Sequence, residues 1–135
     1  MFTLELYRIL LKATLTWRDN RLTFYNLKHN MSSNVVGTDV AKLLWTPSLK
    51  FPNAVGDVYI NYSKNSYLVV ERQGQGTTIG VEETEEGIKY AGSENSIQLV
   101  QELQFKHNCQ FDLLYYPFDI QTCTLQVYNP RRWSP

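Results

Sequence analysis

Two cysteines constrain this chain more than any other feature. Cys109 and Cys123, the only two present, bracket thirteen residues, Gln-Phe-Asp-Leu-Leu-Tyr-Tyr-Pro-Phe-Asp-Ile-Gln-Thr. An even count at short spacing, with no further ligands beside them in sequence, favours a disulfide over a metal site; two free thiols in a reducing compartment are the alternative. On the chain-entropy argument such a bond would disfavour the unfolded state by about 3 kcal/mol. The bracketed interior is mostly apolar, through Phe111, Leu113, Leu114, Tyr115, Tyr116, Pro117, Phe118 and Ile120. A contiguous apolar patch of this kind calls for cover by a partner or a membrane surface. Asp112 and Asp119, set among these side chains, then need hydrogen-bonding partners.

The remainder of the sequence must supply a fold that presents this loop. At 135 residues the chain makes one domain. Thirteen basic and thirteen acidic residues cancel, leaving no field to draw in nucleic acid or anionic lipid. Aromatic residues make up 13% of the chain, including nine tyrosines, which suits strands and argues against disorder. No apolar run is long enough to cross a bilayer as a helix. The start, Met1 to Lys12, is interrupted by Glu5, Arg8 and Lys12 and does not read as a secretory signal. A disulfide nonetheless requires an oxidising compartment, and the two readings agree if the sequence is a piece of a longer protein.

Hydrophobic periodicity predicts strands. Leu11, Ala13, Leu15 and Trp17 alternate with Lys12, Thr14, Thr16 and Arg18, which describes a half-buried strand ending in the turn Arg18-Asp-Asn-Arg21. Residues 26–42 read as loop with a short helical turn. Pro47 and Pro52 exclude a central strand between them. Val58 to Tyr62 and Tyr67 to Arg72 read as strands joined by a hairpin turn at Ser63 to Ser66. Gly74-Gln-Gly-Thr-Thr-Ile-Gly80 has the wrong spacing for a phosphate-binding loop and reads as a flexible connection. The acidic run Glu82 to Glu86 reads as a solvated loop. From Ile97 one long strand runs into Cys109, with Ile97, Leu99, Leu103, Phe105 and Cys109 on the core parity and Gln98, Val100, Glu102 and Lys106 on the other. A return strand is expected from Cys123 through Leu125 and Val127.

The segment from Cys109 to Cys123 resembles the signature loop of the Cys-loop family of pentameric ligand-gated ion channels, whose pattern is Cys-x-x-Asp, an aromatic-Pro-Phe/Met-Asp core, and Gln-x-Cys. Asp112, Pro117, Phe118, Asp119 and Gln121 match, and Tyr116 stands where Phe is usual. Two further elements are similar. Trp17-Arg-Asp-Asn-Arg-Leu22 follows Trp-x-Asp-x-x-Leu and reads as a core Trp beside a hydrogen-bonded Asp; Trp45-Thr-Pro-Ser-Leu49 follows Trp-x-Pro-Asp-(Leu/Ile), with Ser48 in the acidic place. The likeness covers roughly residues 7–128, within a single partial domain spanning 1–135. The tail from Asn129 to Pro135 departs from it.

The resemblance implies an all-β, immunoglobulin-like sandwich, incomplete at both ends, belonging to the extracellular ligand-binding domain. The missing parts would be an N-terminal helix and strand, the second half of the domain and four membrane helices. It also implies a cis Tyr116-Pro117 bond. Asp112, Tyr116, Pro117, Phe118 and Asp119 would form the gating-coupling loop at the membrane end, with the Asp119 carboxylate paired to basic residues at the domain junction. The implied partners are other subunits of a homo- or heteropentamer, a small-molecule neurotransmitter and the protein's own membrane domain, at the extracellular face of the plasma membrane, with no nucleic acid, metal or cofactor.

Counting back from Trp17 and from Cys109, the family's agonist-facing strand positions fall at Lys12 and Thr14 and at Gln98 and Val100, all on the faces assigned as non-core. The aromatic cage position of the nicotinic branch falls at Pro52, beside Phe51 and Asn53. With Lys12 replacing the facing aromatic, a cation-π cage for a quaternary ammonium is incomplete. Thr14 occupies the place of a carboxylate-binding Arg in several relatives. Asn30-Met-Ser and Asn61-Tyr-Ser are glycosylation sequons. Two other functional classes compete. A secreted transmitter-binding protein of the same fold would carry a polar loop. An enzyme would need His29 or His107, the only histidines, beside a nucleophile and an acid; His107, on the core parity, reads as a satisfied strand histidine.

Overall fold

The computed structural model describes residues 2–61, 66–78 and 87–129. The larger of two antiparallel sheets is organised by two sixteen-residue strands, β1 (Phe2–Trp17) and β7 (Ile97–Asp112), in register from Phe2↔Asp112 to Trp17↔Ile97. Across β7 from β1 lie β3 (Ala54–Asn61) and β4 (Tyr67–Val70). The smaller sheet has the order β2 (Thr23–Tyr25), β6 (Ile88–Ala91), β5 (Thr77–Thr78). The one α-helix among the described residues is the single turn α1 (Thr38–Ala41), preceded by a 3-10 turn at Met31–Ser33. No helix among the described residues is long and apolar enough to cross a membrane. The alternation predicted the strands, and their architecture is the all-β sandwich that the resemblance implies.

That alternation sets the sheet's faces. In β1, Leu11, Ala13, Leu15 and Trp17 are partly covered while Lys12, Thr14 and Thr16 are exposed. In β7, Leu103, Phe105, His107 and Cys109 are buried and Lys106, Asn108 and Gln110 exposed. Side chains at paired positions share a face, so Ile9, Leu11 and Ala13 join Leu103, Phe105 and Phe51 in one apolar cluster, with Leu49, Ala54 and Leu125 packed around it. A second cluster, Leu27, Val70 and Tyr90 with Phe24, Val36 and Ile88, lies between the sheets.

Two connections differ from the expected ones. β3 and β4 are not arms of a hairpin: both run antiparallel to β7, with Asn61 opposite Glu102 and Tyr67 opposite Val100. They therefore run in one direction along the same edge, with five residues between Asn61 and Tyr67. Ser63-Lys-Asn lies outside the described residues. β3 is itself bulged between Val55 and Tyr59, where Gly56 takes φ +77°, a backbone region that favours glycine. The return strand after Cys123 is also absent. Residues 121–127 run without a ladder, and a lone bridge joins Tyr128 to Lys50. Alternating apolar side chains need a neighbouring strand before they become a strand themselves, and β7 already pairs with β1 along its whole length and with β3 and β4 between Ile97 and His107.

Within the stretch read as a flexible connection, Thr77–Thr78 forms a short strand. Thr77 and Thr78 pair with Lys89 and Ile88. A Cβ on Gly76 would fall 1.9 Å from the Ile88 side chain and 2.9 Å from the Tyr90 ring, so the glycine lets this strand approach β6. Ile79, Gly80 and the acidic run Glu82 to Glu86 lie outside the described residues. The turn at Arg18 to Arg21 is as expected: Asp19 is buried and accepts from the Arg21 backbone N–H and guanidinium. Trp17 meets Trp45 edge to face, with ring centroids 6.2 Å apart.

Candidate functional site

The loop grows directly out of β7. At its neck Cys109 and Cys123 are joined by a disulfide, with their Cα atoms 5.5 Å apart. Cys109 is buried on the core face of β7 and Cys123 is exposed. Just beyond, Phe111 meets Tyr7 of β1 edge to face, anchoring the loop root to the neighbouring strand. The Asp112 carboxylate then accepts from the Leu114 N–H at 3.1 Å, the side-chain turn that a short carboxylate favours. Two further turns follow, Tyr116 N–H to Leu113 O at 3.1 Å and Phe118 N–H to Tyr115 O at 2.8 Å. Tyr116-Pro117 is cis, as the resemblance implies.

Gln121 closes the loop, a role the pattern match did not reveal. Its Nε2 donates to the Asp112 backbone carbonyl and to Asp119 Oδ2, and its Oε1 accepts from the Asp112 N–H. One side-chain amide thus pairs both ways with the Asp112 backbone, as a strand neighbour would. Within the loop Gln121 holds one of the Asp119 carboxylate oxygens. Satisfying the polar groups at the base leaves the apolar ones for the tip. Phe118 is 94% and Ile120 95% exposed, and Leu114, Tyr115 and Tyr116 are also exposed.

The second candidate region lies farther along the same two strands. The register places Thr14 opposite Val100, Lys12 opposite Glu102 and Thr16 opposite Gln98. Lys12, Thr14, Gln98 and Val100 therefore lie together on the outer face of the β1–β7 pair, with Tyr67 of β4 beyond Val100. Within that strip Val100 departs from its non-core assignment, because it is only 5% exposed. It sits on the central strand with a neighbour on each side, and its flanks cover it. Lys12 stands across from the Glu102 carboxylate, so its charge faces an opposite one.

Phe51 and Asn53 do not join this strip. Phe51 is 7% exposed and packs on Phe105, with ring centroids 4.5 Å apart, in the core on the other side of the sheet. As a ligand contact it is corrected to a core residue: the turn at Pro52 leads the chain under the sheet, where burying an aromatic ring is favourable. The Asn53 Nδ2 donates to Thr124 O at 3.1 Å and ties this turn to the chain after the disulfide. Of the sequons, Asn30 is exposed and caps the 3-10 turn by accepting from the Ser32 N–H and hydroxyl. The Asn61 side chain lies outside the described residues.

The two histidines are far apart in role. His29 stands 3.3 Å from the Arg72 guanidinium, which itself lies over the Tyr90 ring. His107 is 1% exposed, and among the described residues neither of its ring nitrogens has a hydrogen-bond partner. The reading of His107 as satisfied is thereby corrected; its strand neighbours on the core face, Ala54 and Tyr7, are set beside it by a ladder that uses only backbone groups.

A family model, the neurotransmitter-gated ion-channel ligand binding domain, matches residues 3–129. No curated protein and no solved structure matches the chain.

Proposed function

The chain belongs to the neurotransmitter-gated ion-channel ligand binding domain family, and from that membership we propose that it is part of the extracellular domain of a pentameric channel subunit, where it couples agonist binding between subunits to pore opening. The observation that carries this reading is the division of the Cys109–Cys123 loop into a hydrogen-bonded base and an exposed apolar tip at Tyr116, Phe118 and Ile120. A tip of that kind is stable in water only at a cost, and contact with the subunit's membrane domain at the plasma membrane removes it. The same exposure speaks against a secreted transmitter-binding protein, which has no membrane domain to cover it.

The route for coupling is the β1–β7 pair. The agonist faces the strip of Lys12, Thr14 and Gln98, and from Gln98 to Cys109 the strand covers about 37 Å at roughly 3.4 Å per residue. β1 pairs with β7 along that whole length, so a displacement at the strip reaches the loop through a continuous ladder. Coupling of this sort requires an element with two arrangements that both sites bias, and the loop against the membrane domain supplies it. Glycosylation at Asn30, exposed at its turn, fits an extracellular surface.

The reading is tested in a full-length subunit carrying this domain. Phe118→Ala and Asp119→Ala should leave surface expression and agonist binding near wild type while current through the channel falls sharply. Normal gating in patch recordings of both variants, at normal surface expression, would falsify the coupling role. Thr14→Arg and Gln98→Ala should do the opposite, shifting the agonist concentration for half response with the maximal current retained; a response curve that neither change moves sinks the strip as the agonist-facing surface.

A further inference from the structure

Between β2 and β3 the chain folds back over the larger sheet as an arch with two anchors. At one end the Val36 N–H donates to Leu68 O at 2.8 Å and Val35 bridges to Val69, on the edge of β4 away from β7. At the other end Trp45 meets the ring of Trp17 in β1. Between the anchors the chain makes the turn α1 and passes above the core face of β7. The arch does not fill the space beneath it. A cavity of about 450 Å3 is left there, with Val36 and Ala41 in its roof and Leu68, Leu99 and Gln101 in its floor.

Gln101 is the unusual residue in that floor. It shares the core parity of β7 with Leu99 and Leu103, is half-buried, and among the described residues its side-chain amide has no hydrogen-bond partner. An amide set among apolar side chains is costly until something bonds to it, and this one offers two donors and an acceptor. Apolar walls, a volume within roughly 300–1,000 Å3 and a polar group aimed inward are the marks of a small-molecule site. We propose that the cavity binds a compact, uncharged, ring-bearing molecule with one hydroxyl or carbonyl group. Its rings lie against Val36, Ala41, Leu68 and Leu99, and its polar group bonds to the Gln101 amide, which can donate to a carbonyl or accept from a hydroxyl. Burial of the rings drives binding. Lys42, exposed at the rim, keeps out a cation.

The walls stand without an occupant. Backbone bonds hold the roof at Val36 and within α1, where the Ala41 N–H donates to Gly37 O at 2.9 Å, and the ladder to β7 holds the floor, so binding orders little that is not already ordered. The cavity also lies directly behind the strip on the outer face, because Gln98 alternates along β7 with Leu99 and Gln101. An occupant therefore bears on the inner side of the strand whose outer side carries Gln98, and linkage makes its effect on an agonist reciprocal. That consequence rests on the channel reading; the site itself does not.

The test uses the full 135-residue chain, disulfide intact and isotope-labelled at its leucine and valine methyls, titrated with 1-naphthol and separately with naphthalene. Naphthol should shift the Val36, Leu68 and Leu99 methyls saturably at one molecule per chain, leaving Leu11 and Leu125 of the cluster around Phe105 in place. Gln101→Leu should lower the preference for naphthol over naphthalene by about fivefold, the loss of one hydrogen bond, and Ala41→Phe should abolish binding of both by filling the roof. A chain that shows no saturable shift, folded or not, overturns the site, since water alone then fills it. So do shifts spread equally over both clusters, or a Gln101→Leu variant with the wild-type preference. Nuclear Overhauser contacts from the naphthol ring protons to the Leu99 and Val36 methyls of the wild-type chain depend on no variant's folding, and their absence at saturation also overturns the proposal.

Discussion

Arg21 grips Asp19 through two parallel bonds, Nε to Oδ1 at 2.9 Å and Nη2 to Oδ2 at 2.8 Å, and adds its own backbone N–H to Oδ1 at 3.0 Å. The Asp19 side chain is buried and the Arg21 side chain is 61% exposed. Behind this turn, Gly92 donates its N–H to Leu22 O at 2.9 Å, and any Cβ there would fall 2.1 Å from Asp19 O. The turn is thus held from both sides.

The Arg21 side-chain hydrogen bonds lower the Asp19 pKa first; burial opposes them, and the Arg21 backbone N–H and charge add to the lowering. Because the folded-state value lies below the unfolded one, the resulting stability is present above the unfolded pKa and is lost as pH falls through the folded one. Asp19→Asn should therefore cost about 2 kcal/mol near neutrality, since hydrogen bonds to a charged group are lost, with the exposure of Arg21 holding the figure down. The gap between variant and wild type should narrow steadily on acidification below the usual carboxylate range. Urea unfolding at about pH 7 and about pH 3 reads both; a gap unchanged between them contradicts the assignment.

Asn95, fully buried, accepts from the Gln73 N–H at 2.9 Å and the Gly74 N–H at 3.1 Å and donates to Ala91 O at 2.8 Å. Asn95→Ala should destabilise by about 2–3 kcal/mol, because it strands buried backbone groups. Hydrogen exchange should locate the loss at the Gln73 and Gly74 amides; protection retained there would show that other groups hold this loop.

Phe51 on Phe105 predicts a core phenotype. Phe51→Ala should cost about 3–5 kcal/mol, the range for emptying a buried aromatic site, and Phe51→Leu much less. In a full-length receptor Phe51→Leu should leave agonist sensitivity unchanged. A shift in sensitivity at normal stability would return Phe51 to the binding surface.

Replacing both cysteines by serine should cost about 3 kcal/mol through the larger entropy of the unfolded chain, for a link between positions 14 apart. Because Gln121 separately ties the loop base to Asp112 and Asp119, the serine variant should keep the hydrogen-exchange protection of the Asp112 amide. Loss of that protection together with the disulfide would mean the amide depends on the bond.

Much of this was legible in the residues. Alternation of Leu11, Ala13 and Leu15 with Lys12 and Thr14, and of Leu103, Phe105 and Cys109 with Gln104 and Lys106, is sufficient to define two strands and the face each buries, because strand geometry turns side chains over at every step. The spacing and filling of the Cys109–Cys123 loop were equally local, so the disulfide and the exposed tip followed from composition and motif. Alternation gives a side chain's face, however, and says nothing of its neighbours. Whether β3 and β4 form a hairpin or run in line along β7, whether Val100 is buried between β1 and β4, and whether the chain after Cys123 finds a strand to pair with are matters of register between distant segments. The same holds for single side chains: parity alone put His107 in the core, but only packing showed that, among the described residues, neither of its ring nitrogens has a hydrogen-bond partner. What one strand carries is written along it, whereas partners are assigned by the pairing of strands far apart in the chain, and that pairing is decided when the whole sheet closes.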